Sequence, residues 1–238
     1  MSIPEALRSE ALGALQSWGC LLSDEQWRLL GAFLDDVLEH NKKANLTAAR
    51  SLEDLLFRHA LDGLAAVKPL RELAGGAAPD LVEVGAGAGF VGVSLKIAWP
   101  EARVRLVESS YKRFCFLNWT SARLRLKGLE IVHATVQKGK GMAADKGKKT
   151  LAAGGGADVV LARALAPLRE ALELTLPLAR PGGAVLIYQS EAPSLDDPAL
   201  AGVLASTGGK LESVIPYRLP REVRQRHMAV FRRSVCTG

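Results

Sequence analysis

The stretch Leu81-Val82-Glu83-Val84-Gly85-Ala86-Gly87-Ala88-Gly89-Phe90-Val91-Gly92 sets the fold class of this 238-residue chain. A short apolar run carrying one acid breaks into glycines at every second position, and these give way to an apolar stretch of helical character. The order is strand, tight turn, helix. Alternating glycines let the backbone take positive φ and let a ligand come close to main-chain N–H groups at a helix N-terminus. A nucleotide-like cofactor fits such a turn.

Two ligands compete for it. Gly87, Gly89 and Gly92 satisfy the G-x-G-x-x-G spacing of a dinucleotide-binding turn, whose helix N-terminus holds a pyrophosphate. S-adenosylmethionine has no phosphate and calls instead for carboxylates around its hydroxyls and its cationic amino-acid end. Glu83, two residues before Gly85, favours the second ligand. A bare connection in any α/β fold can also be glycine-rich. Glu108 adds weight to a cofactor, because it ends the apolar run Val104-Arg105-Leu106-Val107 about twenty residues further on, the interval that sets an acid beside an adenosine ribose. An adenosine cofactor follows, with methyl and hydride transfer both still open.

Outward from this turn, strands and helices alternate. Strands are expected over Leu81–Val84, Val104–Val107, Leu129–His133, Asp158–Ala162, Ala184–Tyr188, Leu211–Pro216 and His227–Arg232. Helices are expected over Val91–Trp99, Tyr111–Leu126 and Leu168–Leu178. The pattern predicts a doubly wound, mainly parallel seven-stranded sheet of Rossmann-like type, closed by an antiparallel edge hairpin. Upstream, residues 5–40 carry apolar positions at helical spacing, with a second helix starting at Ser23 and Gln26 at its third position. Another helix starts at Ser51, with Asp54 completing a cap, and sets His59 and Asp62 three apart on one face beside Arg58. Residues 1–68 therefore read as an N-terminal helical extension packed on the core, and 69–238 as the Rossmann-like domain. Residues 138–156, rich in lysine and glycine, read as a flexible basic loop able to touch phosphates.

Hydrophobic residues make up 48% and charged residues 24% of the chain, the balance of a globular domain rather than a disordered one. Thirty-one Lys and Arg against 25 Asp and Glu give a net charge of +6, which suits a polyanionic partner without requiring one. Cys20, Cys115 and Cys236 are isolated and odd in number, which points to a reducing compartment, the cytoplasm, and to no metal centre. No stretch has the length of a signal core or a membrane span, so no membrane partner is expected.

With these residues in place, the chain resembles the bacterial RsmG methyltransferases, also called glucose-inhibited division protein B. Asn41-Lys42-Lys43-Ala44-Asn45-Leu46-Thr47 resembles the family's W-N-K-x-x-N-L-T, and Arg58-His59-Ala60-Leu61-Asp62 its R-H-x-x-D-S. The glycine turn, Val107-Glu108-Ser109 with Lys112-Arg113 and Phe116-Leu117, Ala162-Arg163-Ala164 and Arg226-His227 follow in the family's order and spacing. The resemblance implies a class I S-adenosylmethionine-dependent methyltransferase that modifies N7 of guanine 527, in the 530 loop of 16S ribosomal RNA, with the small ribosomal subunit as partner. It also implies that Gly85 and Phe90 line the cofactor pocket, that Val136 and Gln137 flank the adenine, and that Arg163 closes the site. Lys112, Arg113 and Arg226 match basic positions suited to RNA. The chain departs from the family in carrying Glu83 and Glu108 for Asp, Val91 for Pro, Thr135 for Arg and Gln189 for Lys. These departures keep a relative with another RNA or small-molecule target in play.

Guanine N7 carries an in-plane lone pair that is unprotonated at neutral pH, so attack on a sulfonium methyl needs no general base. Positioning does the work, with N7 held about 3 Å from the methyl carbon. Arg163, His59 and Asp62 are the positioning candidates. An A-form major groove is too narrow to expose N7, so the guanine must lie in a loop.

Overall fold

The computed structural model describes residues 3–75, 78–138, 141–144, 156–194 and 196–235. Helix α1 (Glu5–Ser17) leads into α2 (Asp24–Ala44), which starts in a full capping box between Ser23 and Gln26 and stops where Asn45 turns left-handed. Asp24 and Glu25 in its first turn and Lys42 and Lys43 in its last complement the helix dipole. The Asn41 amide then donates to the carbonyls of Thr47 and Ala49 and accepts from the Thr47 N–H. The Asn41–Thr47 stretch is thus a brace that turns the chain out of α2.

Ser51 caps α3 (Leu52–Leu55) through the Asp54 N–H, and the helix runs on through a π-helical turn (Leu56–Ala60) into α4 (Leu61–Leu64). Gly63 is where α4 meets the glycine turn. A Cβ there would stand 2.7 Å from the Phe90 carbonyl oxygen and 2.9 Å from Val91 Cα, so only glycine allows the contact. Helix α5 (Val67–Ala74) completes this unit.

The sheet comprises β1 (Asp80–Val84), β2 (Arg103–Glu108), β3 (Leu129–Gln137), β4 (Gly141–Ala144), β5 (Ala157–Ala162), β6 (Ala179–Gln189), β7 (Gly209–Tyr217) and β8 (Arg226–Arg233). Their order across it is β4-β3-β2-β1-β5-β6-β8-β7. Five strands, β1, β2, β3, β5 and β6, are parallel, and β8 and β7 close one edge antiparallel. The seven expected strands are all present. The eighth, β4, corrects the reading of 138–156 as wholly flexible, because the open edge of β3 offers backbone partners that residues 141–144 take up. The rest of that segment, at 139–140 and 145–155, lies outside the described residues, as does Cys236.

Alternation along β1 sends Leu81 to one core cluster and Val82 and Val84 to the other. The Leu81 face is covered by the N-terminal helices, α6 (Gly92–Ala98) and α7 (Tyr111–Arg123). The opposite face is covered by α8 (Leu168–Thr175) and α9 (Pro198–Thr207). Two expected helices end early. Arg125 turns to positive φ after α7, and Pro177 tightens the end of α8 into a 3-10 turn over Leu176–Leu178. The sequence reading missed α9, although Asp197 caps it and Pro198 opens it.

Because β2 and β3 lie to one side of β1 and β5 and β6 to the other, the chain switches direction at the carboxyl ends of β1 and β5. Register sets Val84 beside Val107 and Ala162, and Ala162 beside Ile187. The turn after β1, Glu108, Arg163 and Tyr188 therefore meet at one edge.

Candidate active site

Gly85, Gly87 and Gly89 all have positive φ. The turn is pinned from below, since the N–H groups of Gly85 and Ala86 donate to the Val107 carbonyl. Glu108, 4% exposed, holds it from the side: its carboxylate accepts from the Gly87 N–H (2.7 Å) and the Ser110 N–H (2.8 Å). Around Gly87 a Cβ would meet nothing within 4 Å, whereas at Gly92 it would run into the Leu106 side chain and come 2.6 Å from Glu83 Oε2. Gly87 thus faces open space and Gly92 serves close packing. Glu83, 2% exposed, accepts from the Gly92 N–H at 2.8 Å. Burial pushes its carboxyl up to about 7, against the opposing pull of the Arg163 cation and the Gly92 N–H. An open backbone at Gly87 and an immobilised carboxylate at Glu108 fit a hydroxyl-bearing ligand with a cationic end near Glu83.

Next to this turn lies a cavity of about 770 Å³ whose wall includes His59, Asp62, Arg163, Tyr188, Tyr217 and Arg226. Asp62, 1% exposed, is its hub. One carboxylate oxygen accepts from the Tyr217 hydroxyl at 2.5 Å; the other takes Arg163 at 2.9 Å and Arg226 at 3.1 Å. A buried carboxylate needs such a set of donors. Burial, together with the Asp62 charge, raises the Tyr217 hydroxyl far above the usual phenol range. Arg163 also reaches the His59 carbonyl and sits over the Phe90 ring, 5.8 Å from its centroid. Ala164, just after it, has a φ of 51°, a left-handed non-glycine residue at the site's centre. His59 stacks on Phe90 with centroids 4.5 Å apart and planes at 15°.

The structure brings Glu83, Gly85, Gly87, Gly89, Phe90 and Glu108 together at the turn, and His59, Asp62, Arg163 and Arg226 at the cavity. Arg226 makes a two-pronged pair with Glu222 as well as reaching Asp62, so it belongs to the cavity wall. Lys112 and Arg113 occupy the first turn of α7 and join no ion pair among the described residues. Val136 and Gln137 lie three and four positions beyond His133, the register partner of Glu108; Val136 is half-buried and Gln137 exposed. Sequence reasoning missed Tyr188, Tyr217 and Glu222. Tyr217 and Arg226 are register partners that bracket the β7–β8 loop, a signal visible once the hairpin is drawn.

A switch-point glycine turn, an acid ending the second strand and a cavity alongside define the class I S-adenosylmethionine-dependent methyltransferase fold. Among solved structures, magnesium protoporphyrin IX methyltransferase of Synechocystis, with S-adenosylmethionine bound, superposes with a TM-score of 0.53 at 12% identity, covering 85% of this chain and 97% of its own. The profile of the GidB family, rRNA small subunit methyltransferase G, matches residues 26–215. Ribosomal RNA small subunit methyltransferase G of Acetivibrio thermocellus is 32% identical over 229 residues, 95% of this chain and 88% of that protein. Its namesake in Leptothrix cholodnii is 34% identical over 193 residues, 81% of this chain and 83% of its own. The chain belongs to the GidB family of S-adenosylmethionine-dependent methyltransferases.

Proposed function

We propose that this protein methylates N7 of guanine 527 in the 530 loop of 16S ribosomal RNA, acting on the small ribosomal subunit or its precursors in the cytoplasm. The observation that carries the reading is Arg163, which is bonded to Asp62 in the cavity and within electrostatic reach of Glu83 behind the glycine turn. One side chain thereby joins the cofactor end to the target end. Glu108 would hold the ribose hydroxyls, Gly85, Gly87, Gly89 and Phe90 would line the cofactor, Val136 and Gln137 would flank its adenine, and Glu83 would face its amino group. S-adenosylmethionine, when bound, would supply a sulfonium methyl to the N7 lone pair, with the S–CH3 bonding pair leaving on the neutral thioether S-adenosylhomocysteine and no base required.

The residues have to position the guanine rather than move a proton. The purine gains positive charge as N7 is methylated, so Arg163 belongs on the keto oxygen or a phosphate and away from N7. Asp62 fixes the angle at which Arg163 enters. The helical extension, residues 1–68, supplies His59 and Asp62 and is thus one wall of the site. Lys112 and Arg113 would meet RNA phosphates, whereas Arg226, committed to Glu222 and Asp62, shapes the cavity wall.

The test is transfer of labelled methyl from S-adenosylmethionine to small subunits and to naked 16S RNA lacking the modification, with mapping of the labelled base. Label at guanine 527 supports the proposal. Cofactor binding without label on RNA overturns it and points to another substrate.

A further inference from the structure

Helix α3 does not continue as an α-helix past Leu55: it widens into the π-turn Leu56–Ala60, a rare geometry concentrated at functional sites. Within that turn Leu56, Phe57 and Ala60 are buried in the core, Arg58 is exposed, and His59 is half-buried at the cavity wall. One face of the His59 ring is covered by Phe90 in a near-parallel stack. Arg163 pins the His59 backbone by donating to its carbonyl at 3.4 Å. A flat ring with one face backed by an aromatic and its edge of exposure in a cavity is built to take another flat ring.

We propose that the face of His59 turned away from Phe90 is the platform on which the target purine stacks, giving a three-layer pile of Phe90, His59 and base. The inference rests on the RNA-methylation reading above and adds the contact that holds the base. Charge agrees with it. Burial first, then the Arg163 cation, lowers the His59 ring to about 4, with Asp62 opposing, so the imidazole is neutral at physiological pH. A neutral platform does not repel a purine that becomes cationic as it is methylated, which an imidazolium would. Stacking on an aromatic side chain is also how proteins usually hold a base turned out of an RNA loop.

Two variants beside the wild type and two readouts test it: His59→Ala, His59→Phe and the unchanged protein are each measured for S-adenosylmethionine affinity by calorimetry and for methyl transfer to unmodified 16S RNA. His59→Ala is expected to raise KM for RNA about tenfold or more, with cofactor affinity within about twofold of wild type. His59→Phe keeps the stacking face and is expected to restore KM to within about threefold. Equal failure of the Phe and Ala variants overturns the proposal, as does an Ala variant that loses cofactor affinity while keeping its RNA KM. A wild-type protein that binds cofactor but labels no RNA overturns the functional reading itself, and the stacking proposal with it.

Discussion

Glu108 finds both of its donors nearby in the chain, at Ser110 and, 21 positions away, at Gly87; Asp62 draws Arg163 from 101 positions away and Tyr217 from 155. Two buried carboxylates stand at the same sheet edge, and one is served by its own turn while the other is served by the whole fold. The glycine turn is therefore a local structure, built by β1, the neighbouring strand β2 and the helix between them. The Asp62 hub exists only where the N-terminal helices meet the β7–β8 hairpin and the end of β5. Mutations should separate the two, since damage to a local structure stays local and damage to a hub spreads.

The largest effect is expected at the hub. Asp62→Ala strands Arg163, Arg226 and the Tyr217 hydroxyl, and should cost about 3–5 kcal/mol in denaturant unfolding. Glu108→Ala, which frees two backbone N–H groups in a turn, should cost clearly less; equal losses would erase the distinction. Second come two glycines of the same turn. Gly92→Ala should cost about 1–3 kcal/mol of stability through overpacking against Leu106 and Glu83. Gly87→Ala meets no atoms, so it should cost only about 1 kcal/mol of left-handed strain and show itself in weaker S-adenosylmethionine binding by calorimetry.

A third effect is carried by pH. Glu83 ionises near 7 in the folded protein, against an ordinary value of 4.5. Between those limits the unfolded chain gives up its proton first, so the ligand-free protein loses stability as pH rises through that window. A cationic ligand end favours the ionised form, so cofactor affinity should climb as pH approaches 7 and level off above it, with a proton released on binding. Glu83→Gln should flatten both curves, and a wild-type affinity that falls with pH would contradict the assignment. The smallest effect belongs to Lys112. Its replacement by Ala should leave stability and cofactor binding intact and reduce the salt dependence of RNA binding by about one unit of log–log slope.

What the sequence made legible follows the same division. The turn from Glu83 to Gly92, the acid at Glu108 and the capping pairs at Ser23 and Ser51 are short-range patterns, and the fold realises each of them. Arg226 was readable as a cation but not as a partner of Asp62 and Glu222, because its place depends on how an edge hairpin folds over a helix far upstream. Tyr188 and Tyr217 look like ordinary strand residues until the register is known. The π-turn leaves no local signature at all, since Leu56–Ala60 has the composition of any buried helix, and the bonds of Asn41 to Thr47 and Ala49 depend on a loop path that residue types alone do not fix.

Gly63 carries a mechanical consequence. Its missing side chain lets the helix that bears His59 and Asp62 rest directly on the backbone of Phe90 and Val91. There is no compressible layer between the two, so the glycine turn and the helix that lines the cavity form a single stiff part. A methyl group at this one position would wedge the two apart, so Gly63→Ala is expected to disturb the glycine turn and the cavity wall together.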